Sequence, residues 1–479
     1  MTTPQTQPQK EEEREPLLSS SPKKQEEQQP QQSNNNIKNV LLTKKVRFTA
    51  LFLSCFLTFG GYLVFDLVSA LKTELQSEMS LDDEEYSLLY LVYAWTNCLM
   101  VLFAGALVDR TTNRMCAVIF TTLALLGQTI LSVGVQLDTF VVMVIGRVIF
   151  GTGLGSICVA QNAIVSVYFR DFMLSTAFAA TLTVSRVGSV TNFFLSTYIY
   201  TWFGDRINVV FWFGTITCAC SVACAVLFFV LDKAAETKGM IGGEAKQRGS
   251  RKIVWGDVLK FPLIFWVLSV VCSLYYSNIF ALMAVIVDYL HERNHFEKHE
   301  ASMISSIIYL TAIPCVPVFG AIIDRVGKRV IFMALSISVL LGFDCYMAWT
   351  EWTPIPALIF AGASYSMVAS SLWPSICMVV PKKCVGTANG IATSIQMIGI
   401  GCSNLIVGAL RKHFPTYSEA MYYLTACAGA AFILSVIAIV IDRVYNNGLL
   451  NKSDAQFKRE IVEAAKTNGD SHQSDSKNQ

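Results

Sequence analysis

Of 479 residues, 53% are hydrophobic and 15% charged, and the mean hydropathy is +0.47, a balance that excludes an ordinary soluble protein and puts most of the chain in the lipid bilayer. A formal net charge of +2 points to no nucleic-acid partner. The fourteen cysteines fall almost entirely inside apolar runs, as Cys218, Cys220 and Cys224 do, so they read as small packing residues rather than a disulfide scaffold.

Residues 1–45 form a Gln-, Glu-, Lys-, Ser- and Asn-rich tail without the apolar core of a cleaved signal peptide, so the first span is expected to act as its own insertion signal. In that tail, Glu13-Arg-Glu-Pro-Leu17-Leu18 fits the acidic dileucine pattern that clathrin adaptors read as an endosomal or lysosomal address. Six apolar runs follow, near 47–71, 86–108, 115–136, 139–168, 174–201 and 208–231. Each is long enough for a helix of about 20 residues to cross the hydrocarbon. After a basic linker, six more fall near 260–290, 301–323, 329–349, 355–380, 385–411 and 419–445. The expected fold is an all-α membrane protein of twelve transmembrane helices: an N-terminal six-helix bundle over 46–231, a linker over 232–259, a C-terminal bundle over 260–445 and a tail over 446–479.

Lys44, Lys45 and Arg47 precede the first span, and Lys246, Arg248, Arg251 and Lys252 lie in the linker, which by the positive-inside rule makes both termini and the linker cytosolic. The first loop on the opposite side is acidic, with Glu78, Asp82, Asp83, Glu84 and Glu85. Arg411 and Lys412 run against the rule locally.

One pattern is written twice. Phe103-Ala-Gly105-Ala-Leu-Val-Asp109-Arg110-Thr-Thr-Asn-Arg114 matches Val318-Phe-Gly320-Ala-Ile-Ile-Asp324-Arg325-Val-Gly-Lys328-Arg329, each at the cytosolic exit of the second span of its half. A small residue at Gly105 or Gly320 lets helices approach closely, and the Asp can face the positive N-terminal end of a helix from the other half while Arg110, Arg114, Arg325 and Lys328 hold the loop. Such a contact is a latch that must break when the cytosolic face opens. The pattern resembles the loop signature of the major facilitator superfamily, and Arg147-Val-Ile-Phe-Gly151-Thr-Gly153 in the fourth span is similar to that superfamily's Arg-x-x-x-Gly-x-Gly. The resemblance implies two pseudo-symmetric six-helix bundles rocking about a central cavity.

Charges inside spans are costly and are functional candidates by default. Arg186 stands about 12 residues into the fifth span, roughly 18 Å at 1.5 Å per residue, near the bilayer midplane. With Asn192 two turns on, it is placed to take a substrate carboxylate as a bidentate pair. Arg147 is a candidate for gating or for pairing with Asp66, and Asp66 either lines the cavity or sits at the interface. Asp344, in the peripheral ninth span, reads as structural. Tyr62, Tyr93, Gln161, Asn162, Tyr275 and Tyr276 are candidate pocket groups. Trp373, beside Pro374, is a candidate pocket wall or gate, since Pro frees a backbone carbonyl and kinks the helix. No phosphate-binding Gly-rich loop and no His-carboxylate set at metal spacing occurs, so neither an enzyme nor a cofactor or metal site is expected.

Several scattered stretches, Cys55-Phe-Leu-Thr-Phe-Gly-Gly-Tyr62, Val159-Ala-Gln-Asn162, Ser185-Arg-Val-Gly-Ser189, Tyr365-Ser366 and Leu372-Trp-Pro374, resemble the major facilitator superfamily domain-containing protein 1 family of lysosomal dipeptide uniporters. That resemblance implies dipeptide export from lysosomes and a heavily glycosylated accessory subunit. The only Asn-x-Ser/Thr sequence here, Asn451-Lys-Ser453, falls in the cytosolic tail. One departure stands out: the family carries Glu after the paired glycines of the fourth span, where this chain has Gly155, which removes the natural holder of a peptide amino group. Another small solute, an organic anion or a sugar, and a non-transporting nutrient receptor remain the alternative readings.

Overall fold

The computed structural model describes residues 44–238 and 260–456 apart from 82, 171, 351 and 415, together with 459. The dileucine motif at Glu13, Leu17 and Leu18 and most of the basic linker lie outside the described residues. Among the described residues, twelve long helices carry the chain back and forth. The first six are Lys44–Ala70, Asp83–Arg110, Asn113–Gln136, Phe140–Phe169, Leu174–Trp202 and Ile207–Thr237. The second six are Leu263–Asn294, Ile307–Val326, Arg329–Trp349, Ile355–Val379, Val385–His413 and Ser418–Tyr445. The expected apolar runs differ from these mainly where polar residues prolong or interrupt a helix. The sixth runs on to Thr237, and a separate short helix, Lys298–Ser305, precedes the eighth.

Eleven of the twelve are apolar enough by composition to cross a membrane; the fifth, with Arg186, Asn192 and a scatter of Ser and Thr, is more polar than its neighbours. The packing explains why that is tolerated. In the first half the first span packs against the fifth and sixth, the fourth against the second and third, and the third against the sixth. The second half repeats this pattern with the seventh to twelfth spans in the same order. The halves meet chiefly where the second span packs on the eleventh and the eighth on the fifth, so the fifth faces protein instead of lipid along its polar side.

The repeated glycines make those two seams close. A Cβ on Gly105 would lie 2.5 Å from the Gly386 carbonyl oxygen, and one on Gly320 would lie 2.7 Å from Ala179 Cβ. Prolines 314 and 317 fall inside the eighth span and Pro374 inside the tenth, where each removes a backbone donor and loosens the helix. Arg411 is neutralised locally, paired with Glu292 and stacked over the Tyr417 ring at 4.4 Å.

Candidate functional site

The two signature aspartates sit at equivalent seams on one face, the face from which the first span starts and at which the twelfth ends. Asp109 accepts the backbone N–H of Gly386 at 2.8 Å and that of Thr387 at 2.5 Å, in the first turn of the eleventh span. Asp324 accepts those of Ser175 at 2.9 Å and Thr176 at 2.7 Å, in the first turn of the fifth, plus the Thr176 hydroxyl at 2.7 Å. First-turn amides have no partner within their own helix and carry the positive end of its dipole, so a carboxylate is their natural cap. Here the cap comes from the other half in both cases, and the face is closed.

The basic residues divide differently from the expectation. Arg110, Arg325 and Lys328 are exposed. Arg329 does the holding: it is 1% exposed, and its Nη2 reaches Asp324 Oδ1 at 3.1 Å while its Nε donates to Ser175 Oγ at 3.2 Å. Its counterpart Arg114 turns inward instead, to Glu236 at 2.6 Å and Asp232 at 3.3 Å, both on the sixth span, and Asp232 also accepts the Tyr168 hydroxyl at 2.8 Å. Sequence reasoning missed Arg329 although it closes the quoted signature, and it missed Arg170. The guanidinium of Arg170 caps the tenth span across the seam, donating to the carbonyls of Met378 and Val380, both at 2.9 Å.

Beneath this closed face Asn162 donates to Asn389 Oδ1 at 3.3 Å, from fourth span to eleventh, and Asn389 in turn donates to Cys377 Sγ at 3.2 Å. Asn162 thus makes a contact between the two halves. Gln161 points into its own bundle, giving its amide to Ser54 O at 2.7 Å and Thr58 Oγ1 at 3.1 Å. Tyr275 is likewise enclosed, with its hydroxyl against Ser364 Oγ at 3.1 Å. Asp344, fully buried in the second bundle, accepts from Asn278 at 2.7 Å.

Deeper between the halves lies Arg186. Its Nη2 donates to the Tyr365 hydroxyl at 2.8 Å, so the fifth span of one half is tied to the tenth of the other. Its guanidinium carbon stands 5.5 Å from the ring centroid of Tyr62, 5.6 Å from that of Tyr309 and 5.7 Å from that of Tyr365. Three ring faces from the first, eighth and tenth spans thus surround one cation. No carboxylate lies within ion-pair distance of Arg186 among the described residues, and its buried Nε has no hydrogen-bond partner there. Arg186 is half-buried, its guanidinium flanked by aromatic faces and bonded to one phenol, a setting chemically suited to an anion. Tyr309 and Tyr365 were not among the expected pocket residues, although Tyr365-Ser366 is one of the stretches that carry the family resemblance.

Of the remaining predicted groups, Tyr62 and Tyr276 adjoin the cage and Asp66 lies in its field, while Asn192 is bonded within its own helix. Tyr62 places its hydroxyl 3.7 Å from Cys158 Sγ, and Asp66 lies beside Ser189 in the field of both Arg186 and Arg147. Arg147 is 1% exposed, with its guanidinium 5.7 Å from the Phe150 ring. Tyr93 packs on Phe65 at 4.8 Å between centroids, and Tyr276 accepts the Trp373 indole N–H at 3.1 Å and sits 6.1 Å from the Tyr365 ring. Asn192 is fully buried and accepts the Ser196 hydroxyl at 2.5 Å. At Gly155 a side chain would overlap the amide oxygen of Asn97 from the second span, a buried oxygen with no donor among the described residues. The volume of a side chain at 155 is occupied by that neutral amide.

A family model described as Major Facilitator Superfamily matches residues 48–400 and 268–467. The chain is similar to the lysosomal dipeptide transporter MFSD1 of Homo sapiens, 30% identical over 419 residues that span 86% of this chain and 89% of that one. To the same protein of Mus musculus it is 31% identical over 427 residues, with 86% and 90% covered. Among solved structures, the transporter FucP in the outward conformation matches with a TM-score of 0.64 at 13% identity, over 82% of this chain and 99% of that one. The human organic anion transporter MFSD10 (TETRAN) matches with a TM-score of 0.61 at 14% identity, over 82% and 99%. At such identities the structures speak for the fold alone.

Proposed function

Because the chain belongs to the major facilitator superfamily and, within it, to the MFSD1 family, we propose that this membrane transporter exports dipeptides from lysosomes to the cytosol by alternating access. The observation that carries the reading is the caged Arg186, a half-buried cation with no carboxylate at ion-pair distance among the described residues, which suits the free carboxylate of a dipeptide. Because Tyr365 and Tyr309 come from one half and Tyr62 and Arg186 from the other, a bound carboxylate touches both halves and stabilises their approach. Asp66, in the same electrostatic field, is the acceptor for the ammonium end. Asp109, Asp324, Arg329 and Arg170 then form the cytosolic gate, closed in this conformation.

Of the carboxylates within spans, Asp66 lies in the field of Arg186 and Asp344 is enclosed in the second bundle, which supports uniport over proton coupling. The one glycosylation sequence has its Asn451 amide nitrogen bonded to Asp442 at 2.9 Å, which supports reliance on a glycosylated accessory subunit for luminal protection. The dileucine motif would bring clathrin adaptors to the tail. A second reading follows from Gly155: with Asn97 filling that place, the solute is a small carboxylate without an ammonium group. Counterflow of labelled dipeptides in proteoliposomes tests the proposal. Uptake by the wild type and its loss in Arg186→Ala are expected; absence of wild-type uptake would sink the dipeptide reading, and undiminished uptake by Arg186→Ala would sink the site. Competition by N-acetylated dipeptides as strong as that by free ones would favour the second reading.

A further inference from the structure

Beyond the twelfth span the chain turns back across the closed gate. Asp442, in the last turn of that span, anchors the return, accepting the Leu450 N–H at 3.2 Å and the Asn451 amide at 2.9 Å, and Leu450 is fully buried. The backbone then runs against the second signature loop. Lys328 N–H donates to Asn451 O at 3.1 Å, Arg329 Nη1 donates to Lys452 O at 3.2 Å, and a Cβ on Gly327, whose φ is +73°, would lie 2.5 Å from Asn451 O. Asp454 completes the crossing. One of its oxygens lies 3.6 Å from Arg329 Nη2 in the second half, and the other accepts the Met173 N–H at 2.5 Å, just before the fifth span of the first half.

We propose that the segment from Gly448 to Asp454 is a working part of the gate: a strap fixed to the second half, whose Asp454 holds the first half shut and must release Met173 each time this face opens. The inference rests on the alternating-access reading but not on the identity of the solute. Two features separate the strap from a tail that merely rests on the surface. Its contact with the first half is a charge-assisted bond to a backbone amide two residues before the first of the two amides that Asp324 caps, so both carboxylates grip one helix start. Arg329 also stands between Asp324 and Asp454, and both remain on its side of the seam when the halves separate, so opening never strands this buried cation.

The native Cys377 is a reporter, being fully buried in the tenth span under the gate with its sulfur against Asn389. Maleimide labelling of the full-length chain in membranes, read for each cysteine by peptide mass spectrometry, follows opening with no solute present. Asp454→Ala is expected to raise the labelling rate of Cys377 roughly five- to tenfold, and Asp454→Asn, which keeps the shape and one acceptor, by a smaller factor. Cys272, fully buried inside the second bundle, should keep its wild-type rate in both. An unchanged Cys377 rate in the variants would overturn the proposal, as would an equal rise at Cys272, which reports general loosening. Should the Ala variant fail to fold, Asp454→Asn alone decides. Failure of dipeptide counterflow leaves this result intact, so the two readings fail separately.

Discussion

Replacing the two latch carboxylates one at a time, by Asp109→Asn and Asp324→Asn, should separate the helix-capping role they share from the buried ion pair that Asp324 makes with Arg329. Asp109 caps two amides of the eleventh span. Asn keeps one acceptor oxygen but turns an N–H₂ toward the other amide, losing a charged hydrogen bond of about 1.5–3 kcal/mol and a dipole interaction of about 0.3–1 kcal/mol. The closed state therefore loses about 2–4 kcal/mol against the open one, a shift of tens- to hundreds-fold. Asp324 loses the same kind of cap, including the Thr176 hydroxyl, and also leaves Arg329 with Asp454 alone at 3.6 Å. Breaking a buried pair costs about 3–5 kcal/mol, and this pair lies within one half, so the loss is felt in the open and closed states alike.

Hydrogen–deuterium exchange in nanodiscs reads the difference directly, since first-turn amides are protected by the carboxylate alone. Asp109→Asn should speed exchange at Gly386 and Thr387. Asp324→Asn should speed exchange at Ser175 and Thr176 and also lower the melting temperature. An unchanged melting temperature in Asp324→Asn would refute the assignment of Arg329 to Asp324. Unchanged exchange at both sites would refute the latch.

Two further outcomes follow from the same geometry. Tyr365→Phe removes the hydroxyl that Arg186 bonds at 2.8 Å while keeping the ring face, so it should weaken solute affinity in a binding assay by roughly tenfold, about 1.5 kcal/mol, with folding unaffected. Gly105→Val puts a branched side chain where Gly386 O stands 2.5 Å from a Cβ, so the face should stay open. The expected signs are rapid labelling of Cys377 and loss of net transport with normal membrane insertion.

The seam contacts of Asp109 and Asp324, proposed as the gate, were largely legible in the sequence because their chemistry is local. A glycine, an aspartate four residues on and basic residues after it lie within one helix exit, and writing that pattern twice announces two halves. The division of labour among the basic residues was not legible. Arg114 and Arg329 occupy matching places, yet the sixth span offers Arg114 two carboxylates, at Asp232 and Glu236, whereas Arg329 finds Asp324 and Asp454. Gln161 and Tyr275 show the same limit: polar groups on cavity-lining spans satisfy partners on the far side of their helices, and helical phase alone cannot say which neighbour waits there.

The sequence by itself determined the membrane setting, the count and order of spans, the repeat and the outlying charge at Arg186, since each follows from hydropathy and from the cost of a charge in lipid. Only the tertiary structure decided that Arg186 meets Tyr62, Tyr309 and Tyr365, that Asn97 fills the place beside Gly155, and that Asp454 reaches Met173. Those partners come from other spans, mostly far away in sequence. Burial dictates that a charge must find partners, but which ones it finds is set by how two six-helix bundles face each other.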